Sequence, residues 1–547
     1  MINKVSDKKF LVLIISSVII TIVMTPWINV DSLVIPKAII LFTSACYLLP
    51  FVLTNFRYFV SNFRFKLLSI FSTLFLLQLI IVLMTSSAPL EQQIFGRTGR
   101  GLGLLTELSL MVFMFAAVKF VNYSKIQSLL FGLVISATSS SLYSIAQKFG
   151  FDIFDWNTAT NGIIGTLGNP NFQSSIAAIA FVPTLSFLWN KKPLIKYFSI
   201  LICLVLLYTV YICQSTQGYV IVVLSICSYL LVYLWYRNRV LFTLGSFISF
   251  IAVAIGLLGM TNQGPLSSIF YKYSIKSRGE FWRTAFSATR DNPMFGVGID
   301  SFSDVSTIYK SANDAAGVNE MTDSAHNYLL HYSVSGGIPL MLLYVSLILL
   351  AFLSFFLIQN KLGKFDHRIT PLFTCLISFQ AQSMISPGTI SLMLWNSIIC
   401  GSLIGLSVYG ISGNEIKLTQ SKSYLKTVAY FSIVFSLLIT YPLFNSDRLQ
   451  LKSLNTKDAL LAVKSAQSYP ESSLRYSRIG AELLKSGLPD QALEVGRSAI
   501  AFNPNSVQAW VLILANNSAP LGERVRAKQE ILRLDPFNVE VQKIVLQ

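Results

Sequence analysis

The sequence predicts an all-α fold, in which a bundle of about thirteen membrane-spanning helices precedes a soluble helical tail. Of the 547 residues, 53% are hydrophobic and only 12% are charged, which is about half the charged share of a soluble chain. The apolar residues fall into runs near the ~20 residues that a helix needs to cross a bilayer. After residue 446 the long apolar runs stop and helical patterns continue. This composition excludes an ordinary soluble enzyme, a disordered chain and a secreted disulfide scaffold.

Thirteen apolar runs predict the spans, in chain order. They cover residues 10–25, 36–55, 67–85, 103–120, 127–147, 172–189, 197–213, 218–236, 240–259, 336–358, 370–386, 389–410 and 427–444. The first run follows a basic segment, as in a signal peptide, but Pro26 and Trp27 stand where small residues would mark a cleavage site. We therefore interpret the first run as an uncleaved span.

The distribution of charge predicts the orientation of the chain. With a cytoplasmic N-terminus, the cytoplasmic segments carry nineteen lysines and arginines against three acidic residues. Basic residues are retained on the cytoplasmic side of membrane proteins. The net charge of +17 is therefore explained by topology, without a nucleic-acid partner. An odd number of spans then places the C-terminal tail outside the cytoplasm.

Two parts of the chain follow from this division. Residues 1–446 form the polytopic membrane domain, with a large extracytoplasmic loop at 260–335, and residues 447–547 form the tail. Pro470 and Pro504 in the tail are 34 residues apart, and Pro536 follows after 32. This period resembles the tetratricopeptide repeat, a helix–turn–helix unit that stacks into surfaces for extended ligands or proteins. The alternative is a generic helical tail; the repeat interpretation makes a protein partner an option.

The histidines supply one candidate for chemistry on the outer face. His326 and His331 lie at the end of the long outer loop, just before the tenth run. Histidine gains and loses a proton near neutral pH, so His326 is a candidate general base. The alternative is a structural position in which Asp323 or Ser324 caps a helix that begins near Ala325.

Three outer-face arginines supply positive charge. Arg278 shares a helical stripe with Trp282, and its forked guanidinium suits a phosphate, although an interfacial arginine that only reaches the headgroups is equally compatible. Arg97 and Arg100 lie among glycines at the start of the fourth run. Glu107 lies inside that run, and we expect it to pair with a neighbouring arginine.

Polar residues elsewhere on the outer face give weaker signals. Asn169 and Asn171 lie in a Gly/Asn/Pro turn before the sixth run, where they shape the backbone or bind a sugar, and the structural interpretation is favoured. Asp300, Asp304 and Asp323 are spaced too loosely to predict a metal site. We expect neither a metal nor a cofactor.

Three segments, in this order and separated by spans, carry a resemblance to a known family: "GTLGNPNF", "SRGEFWRTAF…DNPMFGVGIDSF" and "SAHNYLLHYSVSGGIPL". They resemble the O-antigen ligase and polymerase family of membrane glycosyltransferases, over approximately residues 67–410. The tail resembles the tetratricopeptide extension of many members. The resemblance implies a GT-C-like bundle in the bacterial cytoplasmic (inner) membrane. It implies an inverting, metal-independent transfer of a glycan from an undecaprenyl diphosphate-linked donor to an acceptor hydroxyl outside the cytoplasm, in surface polysaccharide biosynthesis.

The resemblance also implies roles for single residues. His326 is the catalytic base or the group that orients the acceptor, and Arg278, Arg100 and Arg97 bind the donor diphosphate. The supporting residues are Gln217, Asn169, Asn171 and Glu280. The family commonly has an arginine where this chain has Gln217, and a neutral amide does not replace a guanidinium. Either Arg97 or Arg100 substitutes, or the donor is held differently, or activity is lost.

Several functions are compatible with these features. Within the enzyme class, the alternatives are an O-antigen ligase-like transferase, a polymerase of polysaccharide repeat units and a protein O-oligosaccharyltransferase. A transporter of lipid-linked glycans would place ionisable groups near mid-membrane and show paired halves. An envelope scaffold needs far fewer spans. The polar residues of this chain gather on one face, which favours the enzyme.

Overall fold

The computed structural model describes residues 2–54, 61–152, 154, 156, 162–316, 321–409 and 423–546. These residues form helices and the turns between them, and none of them lies in a β-strand. The prediction of an all-α polytopic membrane protein is confirmed.

A long helix coincides with each of the thirteen apolar runs. Numbered along the chain, and with α10 reserved for a helix of the outer loop, they are α1 (Ile2–Ile22), α2 (Val34–Leu53), α3 (Phe63–Thr85), α4 (Leu104–Phe120), α5 (Ile126–Lys148), α6 (Pro170–Ser186), α7 (Pro193–Ile212), α8 (Thr216–Arg237), α9 (Arg239–Met260), α11 (Tyr328–Leu362), α12 (Ile369–Ser383), α13 (Ile390–Tyr409) and α14 (Ser423–Thr456). Ten of these are long and apolar enough to cross a membrane, within the described residues. The other three are α1, whose first turns are charged, and the shorter α4 and α12. The predicted run ends at residues 55 and 410 lie outside the described residues.

Helices α4 and α13 form the centre of the bundle. Gly401 and Gly405 of α13 lie against the backbone of Met114 and Val118 in α4, so closely that a Cβ atom on either glycine would collide with it. Small residues allow such close approach of helices in a membrane. At the periphery, α9 exposes nearly all of its side chains. The apolar exterior and the close-packed centre are those of a lipid-embedded bundle.

On the predicted outer side, α10 (Tyr273–Asp291) is held against the bundle by a break in α11. Gly336 and Gly337 have non-helical backbone angles, and Gly337 has a φ of +78°, which favours glycine. Gln78 of α3 donates from Nε2 to the carbonyl oxygens of Met294 at 2.7 Å and Gly336 at 2.8 Å. The first two turns of α11 therefore stand apart from its membrane part and pack against α10.

The tail consists of short helices that follow α14: α15 (Ala459–Ala466), α16 (Ser473–Lys485), α17 (Pro489–Phe502), α18 (Val507–Leu514), α19 (Leu521–Leu534) and α20 (Val539–Lys543). Helix α14 runs unbroken through the predicted domain boundary at 446/447. The tail contacts the outer loops, where the hydroxyls of Thr98 and Ser472 are 2.7 Å apart and Thr307 donates to the carbonyl of Leu534. The tetratricopeptide assignment stays a prediction.

Candidate functional site

A polar cavity of about 270 Å³ lies at the predicted outer face of the bundle. It is formed where the loop before α4, the start of α2, the turn before α6, the segment before α11 and the connection between α12 and α13 meet. Its polar lining includes Asp31, Lys37, Arg100, Asn169, Asp323 and Thr389. Residues from five separate parts of the chain therefore converge on one polar space.

Two carboxylates shape the loop that carries Arg100. Asp300 accepts hydrogen bonds from the backbone N–H groups of Arg97 at 2.8 Å and Leu102 at 3.2 Å, and Asp31 accepts one from Gly99 at 2.8 Å. Burial raises the pKa of Asp300 to about 7, although these backbone hydrogen bonds oppose the rise. The loop is thereby fixed from both sides, with Arg100 between its two anchors.

Arg100 forms a forked ion pair with Asp323, at the start of the segment that leads to α11. Its Nε and Nη2 atoms lie 2.9 and 2.7 Å from the two carboxylate oxygens, and its side chain is 16% exposed. Burial disfavours the ionised form of Asp323, but the charge and hydrogen bonds of Arg100 outweigh it and lower the pKa of Asp323 to about 2. The pair fastens the turn that carries His326.

His326 presents one ring nitrogen as a proton acceptor. Its Nδ1 lies 3.0 Å from the carbonyl oxygen of Ser324, which only accepts, so Nδ1 carries the proton and Nε2 has a free lone pair. The ring packs against Phe281 of α10, with centroids 5.2 Å apart. Burial, joined by the positive charges of Arg100 and Arg278, lowers the pKa of His326 to about 4. The imidazole is therefore neutral near pH 7.

The helix after His326 begins later than the sequence suggested. The expectation that Asp323 or Ser324 caps a helix from Ala325 is wrong: α11 begins at Tyr328, and the side chain of Asn327 is its cap. His326 itself has a φ of +52°, a left-handed conformation that is strained for a residue with a side chain. The cap prediction failed because Asn327, three residues after Ser324, is an equally good N-cap.

Glu107 does not pair with an arginine in the structure. Its carboxylate accepts a hydrogen bond from the hydroxyl of Tyr332 in α11 at 3.1 Å, in a buried position. Arg100, the arginine on the same side of the helix, is taken up by Asp323. The predicted pairing is therefore wrong, and Glu107 belongs to a contact between α4 and α11.

Arg278 and Arg97 have guanidinium groups without a carboxylate partner among the described residues. Arg278 donates from Nη1 to the carbonyl of Ser274, while its Nε is buried and unpaired. Burial lowers the pKa of Arg278. The Nη1 of Arg97 is likewise buried and unpaired, but its side chain lines a cleft against Ser473 and Ser506 of the tail. Arg278 is near enough to His326 for its charge to lower the pKa of the imidazole, whereas Arg97 faces the tail.

The predicted supporting residues of the sixth run are largely structural. Asn169 caps α6 through a 2.8 Å bond from the backbone N–H of Asn171, and it also lines the polar cavity. The Oδ1 of Asn171 accepts from the hydroxyl of Ser215 before α8. Glu280 is buried on α10, away from the lining of the polar cavity.

Gln217 is buried at the start of α8 with both ends of its amide bonded. Its Nε2 donates to Ser175 at 2.9 Å, and its Oε1 accepts from the hydroxyl of Ser386 at 2.6 Å. Ser386 belongs to the connection whose next residues, Gly388 and Thr389, line the polar cavity. Gln217 therefore supports the connection from behind and does not line the cavity.

Lys37 is a cavity residue that sequence reasoning missed. It lies in the first turn of α2, is 5% exposed, and donates from Nζ to the carbonyl of Thr166 at 2.5 Å. A lysine inside an apolar run is a signal that could have found it, because ionisable residues in a span are rarely idle. Lys37 gives the cavity a second basic side chain beside Arg100.

Residues 201–345 match the family model described as O-antigen ligase. The matching segment makes up about a quarter of the chain. No curated protein matches the sequence. The match supports membership of the O-antigen ligase and polymerase family and a part in surface polysaccharide assembly at a membrane.

The segment that matches the O-antigen ligase family supplies only part of the site. Gln217, Arg278 and His326 lie within it, whereas Arg100 and Lys37 come from the part of the chain that precedes it. A neutral imidazole with a free lone pair can accept a proton from a hydroxyl group. Buried cations beside it can stabilise an anion that forms during the reaction. The arrangement is therefore suited to transfer of a group from an anionic leaving group to a hydroxyl.

Proposed function

We propose that the protein transfers a glycan from a polyprenyl diphosphate carrier to an acceptor hydroxyl on the outer side of the bacterial cytoplasmic membrane. The observation that carries the proposal is the clustering of a buried neutral imidazole, His326, with Arg278 and Arg100. The match of residues 201–345 to the O-antigen ligase family supports the same conclusion.

The transfer breaks the bond between the anomeric carbon and the diphosphate oxygen, which keeps the electron pair. The acceptor oxygen forms the new bond to that carbon and gives its proton to Nε2 of His326. Negative charge grows on the departing diphosphate, where Arg278 has a guanidinium that is free of acidic partners among the described residues. Charges fixed in a poorly hydrated site stabilise such a leaving group strongly. No metal ion is needed for the proposed step.

Lys37 and Arg100 replace the arginine that the family resemblance places at Gln217. Both line the polar cavity, whereas the amide of Gln217 is hydrogen-bonded at both ends to serine hydroxyls. Arg97 is a weaker substitute because its side chain faces the tail. In this proposal Arg278, Arg100 and Lys37 hold the diphosphate, and Asn169 shapes the wall opposite Arg100.

Acceptor-dependent release of the carrier tests the proposal. The purified protein, in nanodiscs, is incubated with native lipid-linked glycan and an envelope extract, and free polyprenyl diphosphate is measured. We expect release only with an acceptor present, and its loss in Arg278→Ala. Arg290→Ala is the matched control, because Arg290 lies on the same helix with a side chain 70% exposed and should leave release unchanged.

The products separate the alternatives. Lengthened lipid-linked glycan indicates a repeat-unit polymerase, and glycosylated protein indicates an O-oligosaccharyltransferase. Absence of release, combined with accelerated movement of the lipid across vesicle membranes, would refute the proposed transfer and indicate a transporter.

A further inference from the structure

A second cavity opens beside the proposed reaction centre. It has a volume of about 450 Å³ and lies between α10 and the loop that follows it. Three aromatic rings, Trp282, Phe286 and Tyr309, form much of its wall, and an Arg283–Asp314 pair forms the polar part. None of these residues has a role in the transfer described above.

The polar part of this cavity is balanced in charge and held in place. Asp314 is buried, with a side chain 4% exposed, and accepts hydrogen bonds from Arg283 Nε at 3.0 Å and from the Ser311 hydroxyl at 2.8 Å. Tyr309 is fixed by a 3.0 Å hydrogen bond from Asn292. A paired guanidinium and carboxylate offer both donors and acceptors without net charge. An anion would therefore find little net electrostatic attraction there, whereas hydroxyl groups could form hydrogen bonds with both side chains.

The apolar part is open to a ligand. Phe286 is 66% exposed on a helix that faces the outer solution, and Trp282 is half-buried beside it. Flat aromatic faces next to fixed polar groups match a sugar ring, which has apolar C–H faces and a rim of hydroxyls. A hydrocarbon chain fits less well, because it would cover the guanidinium of Arg283, which is 61% exposed, without offering it a hydrogen bond.

The position of the cavity relates it to the donor. Trp282 follows Arg278 by one helical turn on the same side of α10, a rise of about 5.4 Å and comparable to one sugar ring. Phe281, the neighbour of Trp282, packs against His326, and Leu330, one turn beyond His326, lines the cavity. A molecule whose diphosphate rests on Arg278 would place its sugars at this wall.

We infer that the cavity formed by Trp282, Phe286, Tyr309 and the Arg283–Asp314 pair binds a sugar residue of the donor glycan. This inference rests on the proposed function. The cavity selects the donor by its saccharide, while Arg278 recognises the diphosphate that all such donors share.

Binding of two probes to the full-length protein in nanodiscs tests the subsite. The probes are undecaprenyl diphosphate without sugar and lipid-linked glycan extracted from the cells that make the protein. We expect Phe286→Ala to weaken binding of the glycan-bearing lipid about threefold to tenfold and to leave binding of undecaprenyl diphosphate unchanged. Because Phe286 is largely exposed, the variant should fold normally.

Two further variants make the result decisive. Phe295→Ala removes another exposed ring of the outer loop, 46% exposed and outside the cavity, and should change neither affinity. Arg278→Ala should weaken both probes, and its failure to do so would count against the proposed function, independently of the subsite. If Phe286→Ala weakened binding of both probes equally, Phe286 would contact the lipid. If it changed binding of neither probe, no sugar would bind at this wall. Either result overturns the inference.

Discussion

Replacing His326 by asparagine separates its chemistry from its place in the fold. The backbone at this position has a φ of +52°, which asparagine tolerates better than most residues. The substitution removes Nε2 and the ring contact with Phe281, worth about 0.5–1.5 kcal/mol. The variant should therefore remain folded, with a modest loss of stability that a thermal unfolding measurement would detect.

The expected loss of activity is much larger than the loss of stability. A positioned general base contributes roughly 10²- to 10⁴-fold to a rate. We expect kcat/KM for carrier release to fall by that factor, with unchanged binding of undecaprenyl diphosphate. His367→Asn, in the loop between α11 and α12, is the matched control and should retain full activity. A folded His326→Asn protein with more than about a tenth of the original kcat/KM would refute the role of His326 as the base.

The pH dependence of kcat/KM is a second test of the role of His326. Burial lowers the pKa of His326 from 6.5 to about 4, so the neutral form, which acts as the base, persists down to about pH 4. The kcat/KM, which reports the free enzyme, should stay level from pH 7 to 5 and fall near pH 4. Bound diphosphate favours the imidazolium, so the acid limb of kcat should lie at higher pH. An acid limb of kcat/KM near pH 6.5, absent from the asparagine variant, would contradict the buried geometry.

Three further substitutions probe the polar cavity and its supports. Asp323→Asn breaks a partly exposed forked ion pair and should cost about 1 kcal/mol in unfolding free energy, and a change below the error of the unfolding experiment would speak against its anchoring role. Lys37→Gln should weaken binding of undecaprenyl diphosphate about tenfold. An unaltered affinity would show that Lys37 does not bind the diphosphate. Gly388→Ala places a Cβ against the hydroxyl of Tyr328 and should destabilise the protein by about 1–3 kcal/mol. Gly522→Ala places its Cβ in open space and should not destabilise the protein. Equal unfolding temperatures for the two variants would contradict the close contact at Gly388.

The fold was predictable from the sequence because the bilayer restricts which backbone structures can cross it. Hydrocarbon forces the backbone of each apolar run to satisfy its own hydrogen bonds, so a helix appears at every run. The break in α11 was less accessible, since glycines in a span are common and only the contact from Gln78 to Met294 and Gly336 shows why this pair is bent. The length of a helix therefore follows from the length of its apolar run, whereas a break within a helix depends on contacts with neighbouring helices.

The residues of the candidate site could be proposed from the sequence where rare residue types carried the signal. His326, Arg278 and Arg100 stand out because few side chains on the outer face can move a proton or bind a phosphate. The partner of Glu107 could not be found in this way, because Tyr332 lies 225 positions along the chain. Lys37 was missed for a similar reason, because its contact with the Thr166 carbonyl joins residues 129 positions apart in the sequence.

In the proposed function, Lys37 and Arg100 take the place of the arginine that the family resemblance expects at Gln217. Electrostatic stabilisation depends on where a charge lies in space, and the outer ends of α2 and α8 both border the connection between α12 and α13. A lysine in the first turn of α2 can therefore act where an arginine at Gln217 would have acted. The exchange is not neutral, because an ammonium group contacts oxygens as a point charge and lacks the fork of a guanidinium. Orientation of the diphosphate must then depend more on Arg100, which explains the value of fixing its guanidinium by both oxygens of Asp323.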